Sequence, residues 1–192
     1  MDILGYAEMI RRSKRDGTQD EFFQKLYRSL SEARKWLEDR DLPDEFKIGR
    51  KDGFALKAFT DNIVIGWPIR DDAESEFGRA FFAVGSFQLS MTLEGFFVRG
   101  ALSVGDAYVD EIAVFGNALT EAYDGEKTLA RDPRIILTSS AVQTVQAHLT
   151  CYSEPTAAPQ VRDVLQDADG QWFINYLDWS LMPDVRRWRT QP

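Results

Sequence analysis

Apolar positions recur at three- and four-residue steps from Gln19 to about Arg40, where Phe22, Phe23, Leu26, Leu30, Ala33, Trp36 and Leu37 form one stripe. That period is the signature of an amphipathic helix. A shorter helix is predicted before it, from about Tyr6 to Arg15, closed by "RDG". The turn-rich "DLPDEFKIGRKDG" then leads into two short apolar runs, "FALKAF" and "IVIGW", which flank Thr60, Asp61 and Asn62 and read as a hairpin. A long helix is predicted from about Asp71 to Glu94, with Phe77, Phe81, Val84, Gln88 and Met91 on one stripe. Phe82 and Phe87 beside that stripe suggest cover on more than one side.

The second half alternates more quickly. Strands are predicted at about Phe97–Val104 and Glu111–Phe115, joined by a turn around Gly105 and Asp106. A short helix in "NALTEAYDGEKTL", a strand in "RIILT" and a helix in "SSAVQTVQAHL" follow, the last with serines suited to capping. After the loop "SEPTAAPQ", the runs "RDVLQ" and "QWFINYL" read as a closing hairpin around Asp169 and Gly170. The expected fold class is α+β: a ferredoxin-like, split βαβ arrangement with a mostly antiparallel sheet and helices mainly on one face. Its weak point is the first strand, for which "MDILG" leaves only two or three residues.

Composition narrows the chemistry. The 192 residues suit a single domain with a full core, expected as about 1–140, a helix and hairpin over 139–180, and a tail over 181–192. No apolar run reaches the roughly 20 residues of a membrane span, and no signal-peptide layout opens the chain, so a cytoplasmic protein without a membrane partner is expected. The net charge of -8 argues against a nucleic-acid partner, although Arg186, Arg187 and Arg189 form a basic cluster near the end. His148 and Cys151 are the only residues of their types. They cannot build a zinc site or a disulfide, and they argue against a Ser/His/Asp or Cys/His hydrolase; packing or surface positions on a helix suit both. Asp61 also suits its turn for structural reasons alone, because Asp bonds its own backbone there.

Four phrases, taken together and in order, resemble the catalytic domain of class III nucleotidyl cyclases. "MDILGYAEM" resembles the first metal motif, "LKAFTDNIVI" the hairpin with the second metal aspartate, "VRGALSVG" the strand after the third helix, and "VFGNALTEAY" the motif near the base pocket. Within that family, "DILGY", "FTDN" and "FGNALTEAY" look most like the pyrimidine cyclases of bacterial Pycsar anti-phage defence. The resemblance implies two divalent cations, Mn²⁺ or Mg²⁺, held by Asp2, Asp61 and the Ile3 carbonyl, with backbone amides of Leu4, Gly5 and Tyr6 on phosphate oxygens. Carboxylates are the oxygen donors such ions require.

The resemblance also implies base-side roles for Lys57 and Asn117. Asn117 stands where purine cyclases carry an acid, so the pair no longer specifies adenine by charge. Thr120 and Asp124 align with the family's asparagine and arginine, and an anionic Asp124 cannot stabilise a phosphorane. Arg99 or Arg79 is the candidate replacement, and Arg186 or Arg187 a candidate for the terminal phosphate. The expected substrate is UTP ahead of CTP, the expected assembly a homodimer with sites at its interface, and the expected partner a separate effector activated by the cyclic nucleotide. Phe96, Phe97, Tyr108 and Trp67 are candidate contacts for that dimer, or ordinary core residues. A purine cyclase, a degenerate domain that binds nucleotide or a partner without turnover, and a ferredoxin-like interaction module in which Asp2 and Asp61 are unrelated are the alternatives.

Overall fold

The structure, a computed structural model, describes residues 1–37, 55–59, 61–69, 73–109 and 113–181. The expected connection over 41–53, the helix end near Arg40 and the arginines at 186, 187 and 189 lie outside the described residues.

The elements run β1 (Asp2–Ile3), α1 (Tyr6–Asp16), α2 (Gln19–Leu37), β2 (Ala55–Phe59), β3 (Asn62–Gly66), α3 (Glu74–Leu93), β4 (Val98–Leu102), β5 (Tyr108–Val109), β6 (Val114–Phe115) and α4 (Asn117–Thr128). β7 (Ile135–Leu137), α5 (Ser139–Leu149), α6 (Pro159–Asp163), β8 (Val164–Gln166) and β9 (Trp172–Ile174) complete the order. The fold is α+β, with a mixed five-stranded sheet in the order β1-β4-β7-β9-β8. β4 and β7 run parallel, and the other neighbouring pairs run antiparallel.

β1 is short, but it is paired on both edges. Asp2 lies opposite Arg99 and Ile3 opposite Val98 on β4. On its other edge, the Met1 nitrogen donates to the Ile63 carbonyl at 3.0 Å and the Ile63 N–H donates back to the Met1 carbonyl at 2.8 Å. The β2–β3 hairpin is thereby attached beside β1, so the local strand order is β2, β3, β1, β4. Gly100 permits the close approach: a Cβ there would stand 2.7 Å from Met1 Cγ and 3.0 Å from Met1 Cα.

The sheet buries one face under α2 and α3. Ile3, Ile63 and Val98 meet Leu26, Ala33, Leu37, Ala83, Phe87 and Met91 in one cluster. Further along, Phe77, Phe81 and Val84 of α3 and Ala141 and Val145 of α5 cover Ile135, Leu137 and Ile174. α3 is therefore apolar almost all round. Phe87 is buried, whereas Phe82 is 46% exposed and is met by Trp36 of α2, edge to face at 6.2 Å. Gln88, on the expected apolar stripe, is fully buried; its amide nitrogen donates to the carbonyls of Val98 and Pro133 at 2.9 and 3.0 Å. It satisfies backbone acceptors at the entry to β4 and β7 that would otherwise be orphaned in the core.

α4 crosses the other face. Gly125 sits where a Cβ would lie 3.0–3.3 Å from Thr138, Ala101 and Ile136 side-chain atoms, so only glycine lets the helix backbone come down on β4 and β7. At the far end of the sheet, buried Arg134 bonds Asp167 at 2.7 Å and also Asp169, pinning the β8–β9 turn against the start of β7.

Three sequence expectations are corrected. Between β4 and Val114–Phe115 of the second predicted strand lies a further strand, β5, which pairs with β6 in a small hairpin of its own, and β4 takes β1 and β7 as partners. The predicted strand "RDVLQ" begins only at Val164, because Pro159 at the first helical position sets φ for α6 and carries Arg162 and Asp163 into that helix. Nor is "SEPTAAPQ" plain loop, since Pro155–Ala157 form a 3₁₀ turn and α6 starts within it.

α4 and α5 are tied by a carboxylate. Burial pushes the Glu121 pKa up, but hydrogen bonds from the Thr138 hydroxyl and from the Ser140 amide and hydroxyl outweigh it, and the net shift is downward. The Ser140 N–H donates to Glu121 Oε1 at 3.1 Å, at the first turn of α5, where a negative charge is favoured. A depressed folded pKa contributes stability that is present above the unfolded value and lost as pH falls through the folded one. Glu121→Gln should cost about 1 kcal/mol at neutral pH. The deficit should close below the ordinary glutamate range, as read by chemical denaturation across pH.

Candidate functional site

β1 presents its two faces and its two edges in strict alternation. Leu4 N–H donates to the Phe97 carbonyl at 2.8 Å, while Met1 exchanges bonds with Ile63. In an antiparallel ladder the backbone groups of successive residues point to opposite edges. The backbone of Asp2 therefore addresses β4, and that of Ile3 addresses the hairpin, at the level of Asp61. The side chains alternate too. Ile3 is 2% exposed in the core, so Asp2 projects from the opposite face of the sheet.

Residues directly opposite one another share a face. Arg99 faces Asp2 from β4, and continuing the Met1–Ile63 pairing places Asn62 opposite Asp2 from β3. Lys57, paired with Val64, falls on that same face two positions along the hairpin. Asp61 occupies the turn next to Asn62, whose amide donates to Asp61 Oδ1 at 3.2 Å. The sheet thus gathers Asp2, Asn62, Arg99 and Lys57 on one side, opposite the α2–α3 layer, with Asp61 in the turn next to Asn62.

The strongest contact among them is a two-pronged ion pair. Arg99 Nε donates to Asp2 Oδ1 at 2.9 Å and Arg99 Nη2 to Asp2 Oδ2 at 3.2 Å. The side chains are 28% and 19% exposed, so the pair is only partly screened by water. The hydrogen bond to Asp2 raises the Arg99 pKa; burial opposes this, and the charges of Asp2 and of Glu126 on α4 add to the rise.

The remaining candidates scatter. Leu4 cannot offer its N–H to a phosphate, because Phe97 already accepts it. Gly5 holds φ 75° at the turn into α1, and its carbonyl accepts from Glu8 and Met9. Tyr6 opens α1, whose first N–H groups have no acceptor within the helix. Asn117 is the first residue of α4 and not its cap; Gly116 takes the capping position. Thr120 bonds the Gly116 carbonyl at 3.3 Å and, like Asp124, is exposed on α4. Arg79 lies on α3, on the far side of the sheet from Asp2, and is not brought to this site.

Of the candidate dimer contacts, Phe96 is buried in the core and Trp67 packs partly against both core clusters. Phe97 and Tyr108 are exposed, Tyr108 stacked on Phe115 at 4.8 Å between ring centroids. His148 is buried at the end of α5 and Cys151 is exposed just beyond it, the packing and surface positions expected for them.

Among the described residues, no group of three or more His, Cys, Asp or Glu converges. Asp2 supplies one carboxylate on this face, Asp61 stands in the adjoining turn, and the Ile3 carbonyl addresses the hairpin edge. This donor set fits a hard divalent cation, which takes carboxylate, carbonyl and water oxygens. The Arg99 fork on Asp2 shows that the position already demands a cation. An open groove of about 530 Å³ runs elsewhere, along α5, lined by Val104, Ser140, Gln143, Thr144, Ala147, His148 and Cys151. It shares no residue with the Asp2 face and has no carboxylate in its lining.

Sequence reasoning did not find the partnership of Asp2 with Arg99, nor the proximity of Glu126. The first was open to register, had β1 been paired with β4 rather than only with the hairpin; no local spacing signals the second. No protein-family model matches the chain, and no curated protein or solved structure matches it. A double-mutant cycle on Asp2→Ala and Arg99→Ala, followed by urea unfolding, should return a coupling of about 1 kcal/mol. Additive effects would mean that the pair does not form.

Proposed function

We propose that the protein is a metal-dependent pyrimidine nucleotide cyclase of the class III kind, converting UTP, ahead of CTP, to the 3′,5′-cyclic nucleotide and pyrophosphate. The observation that supports this reading is the position of β1: seated between β3 and β4, it brings Asp2 and the Asp61 turn onto neighbouring strands, with Asp2 on the sheet face away from α2 and α3. The strand order β4, β1, β3, β2, with α1 and α2 after β1 and α3 after the hairpin, supports a ferredoxin-like core.

In this reading the substrate 3′-hydroxyl gives up its proton to water and its oxygen forms a bond to the α-phosphorus as the bond from that phosphorus to the bridging oxygen breaks, releasing pyrophosphate. Asp2, Asp61 and the Ile3 carbonyl would hold two divalent cations. When bound, these supply Lewis-acid stabilisation of the attacking oxygen and the leaving pyrophosphate. The amides of Gly5 and Tyr6, at the mouth of α1, would face phosphate oxygens. Arg99, paired with Asp2, would counter charge developing on the reacting groups.

Lys57 and Asn117 stand on well-separated elements, the hairpin and the start of α4. By the resemblance they would act on the base within a homodimer, each site taking metal ligands from one subunit and base-side residues, with Thr120, from the other. Replacing the purine family's acid by Asn117 favours a pyrimidine; Lys57 keeps a purine substrate as the alternative. A role in anti-phage defence through a nucleotide-activated effector rests on the resemblance alone.

A second reading has an observation in its favour. Both Asp2 oxygens are engaged by Arg99, as they would be in a degenerate domain where the pair merely ties β1 to β4. Incubating the protein and Asp61→Ala with Mn²⁺ and each of the four ribonucleoside triphosphates separates the two. A cyclic product from UTP or CTP that falls at least about 100-fold in the variant is expected. Product from ATP or GTP would restore the purine reading, and none from any nucleotide would favour the degenerate domain.

A further inference from the structure

The two oxygens that Asp2 would offer a divalent ion are the two that Arg99 holds, at 2.9 and 3.2 Å. A guanidinium and a divalent cation on the same carboxylate repel each other, and the repulsion is strong where water screens poorly. Glu126 on α4 also acts on Arg99 through its charge, and its carboxylate is itself paired with the Met1 ammonium at 3.1 Å. Arg99 is the side chain paired with Asp2 among the described residues. Asn62 is neutral, and Lys57 is two positions further along the hairpin.

We propose that Arg99 is the resting counter-ion of Asp2 and that a divalent cation binds by exchange, displacing the guanidinium from the carboxylate. This rests on the metal-site reading above and goes beyond it. A displaced guanidinium on the same face is a ready partner for a polyanion. Metal and triphosphate then assist each other's binding, and by linkage each does so by the same factor.

The rival role, a strut that sews β1 to β4, predicts the opposite sign. Removing a strut loosens Asp2, so cation affinity falls together with stability. Removing a competitor raises cation affinity whatever happens to stability.

The test uses the full chain without nucleotide. Mn²⁺ is titrated in and the free ion followed by electron paramagnetic resonance for the unaltered protein, Arg99→Met, Arg99→Lys, Asp61→Asn and the double variant Asp61→Asn/Arg99→Met, with thermal unfolding recorded for each. Exchange predicts that Arg99→Met binds Mn²⁺ about tenfold more tightly, Arg99→Lys falls between, and Asp61→Asn abolishes the gain. Equal or weaker binding in both Arg99 variants overturns it. Should Arg99→Met fail to fold, Arg99→Lys decides by the same criterion, since lysine keeps the charge but not the fork. Asp61-sensitive binding that ignores Arg99 removes the exchange alone. Absence of any Asp61-sensitive binding removes the metal site and the exchange together.

Discussion

The reciprocal hydrogen bonds between Met1 and Ile63, with the Leu4 N–H on the Phe97 carbonyl, hold a two-residue strand between a hairpin and the central strand of the fold. So short an element has almost no intrinsic stability. It persists because both of its edges are paired and because Ile3 is driven into the core against Val98 and Ile63. From that insertion the rest follows. Burying Ile3 forces Asp2 outward, pairing with β4 sets Asp2 opposite Arg99, and pairing with β3 brings the Asp61 turn alongside.

Charge then sets the character of the face. The chain is acidic overall, yet the carboxylate at its most constrained position is not left to water. It is met by a planar, permanently charged fork at nearly ideal spacing. In the proposed reading this carboxylate is a cation ligand. It also carries the competition that an incoming ion must overcome. The same partly screened environment that strengthens the Arg99 contact would strengthen an ion's.

Much of this was legible in the sequence, for physical reasons that differ from element to element. α1, α2, α3 and α5 are strongly periodic and lie where their periods place them. The hairpin at Asp61 was signalled by two apolar runs around turn residues, and β1 by its role in the resemblance despite its length. The failures were pairing decisions. Nothing local in "VRGALSVGDAYV" reveals that β4 turns away from its neighbour in sequence to meet β1 and β7, because the choice is made by burial of both faces. Pro159 converted an expected loop and half a strand into α6 through its fixed φ, a cue that was available. Phe96, open between dimer contact and core in the sequence, is core, since it follows α3 directly into the layer between helix and sheet. Leu4 was assigned an amide for phosphate that the sheet had already used.

Crystals of the protein soaked in Mn²⁺ with a non-cyclisable UTP analogue, measured at the manganese edge, would give the anomalous difference density that tests the central claim most directly. The account predicts metal peaks between Asp2 and Asp61, with the Arg99 guanidinium turned away from Asp2. An intact Asp2–Arg99 pair with no peak beside it would contradict the account.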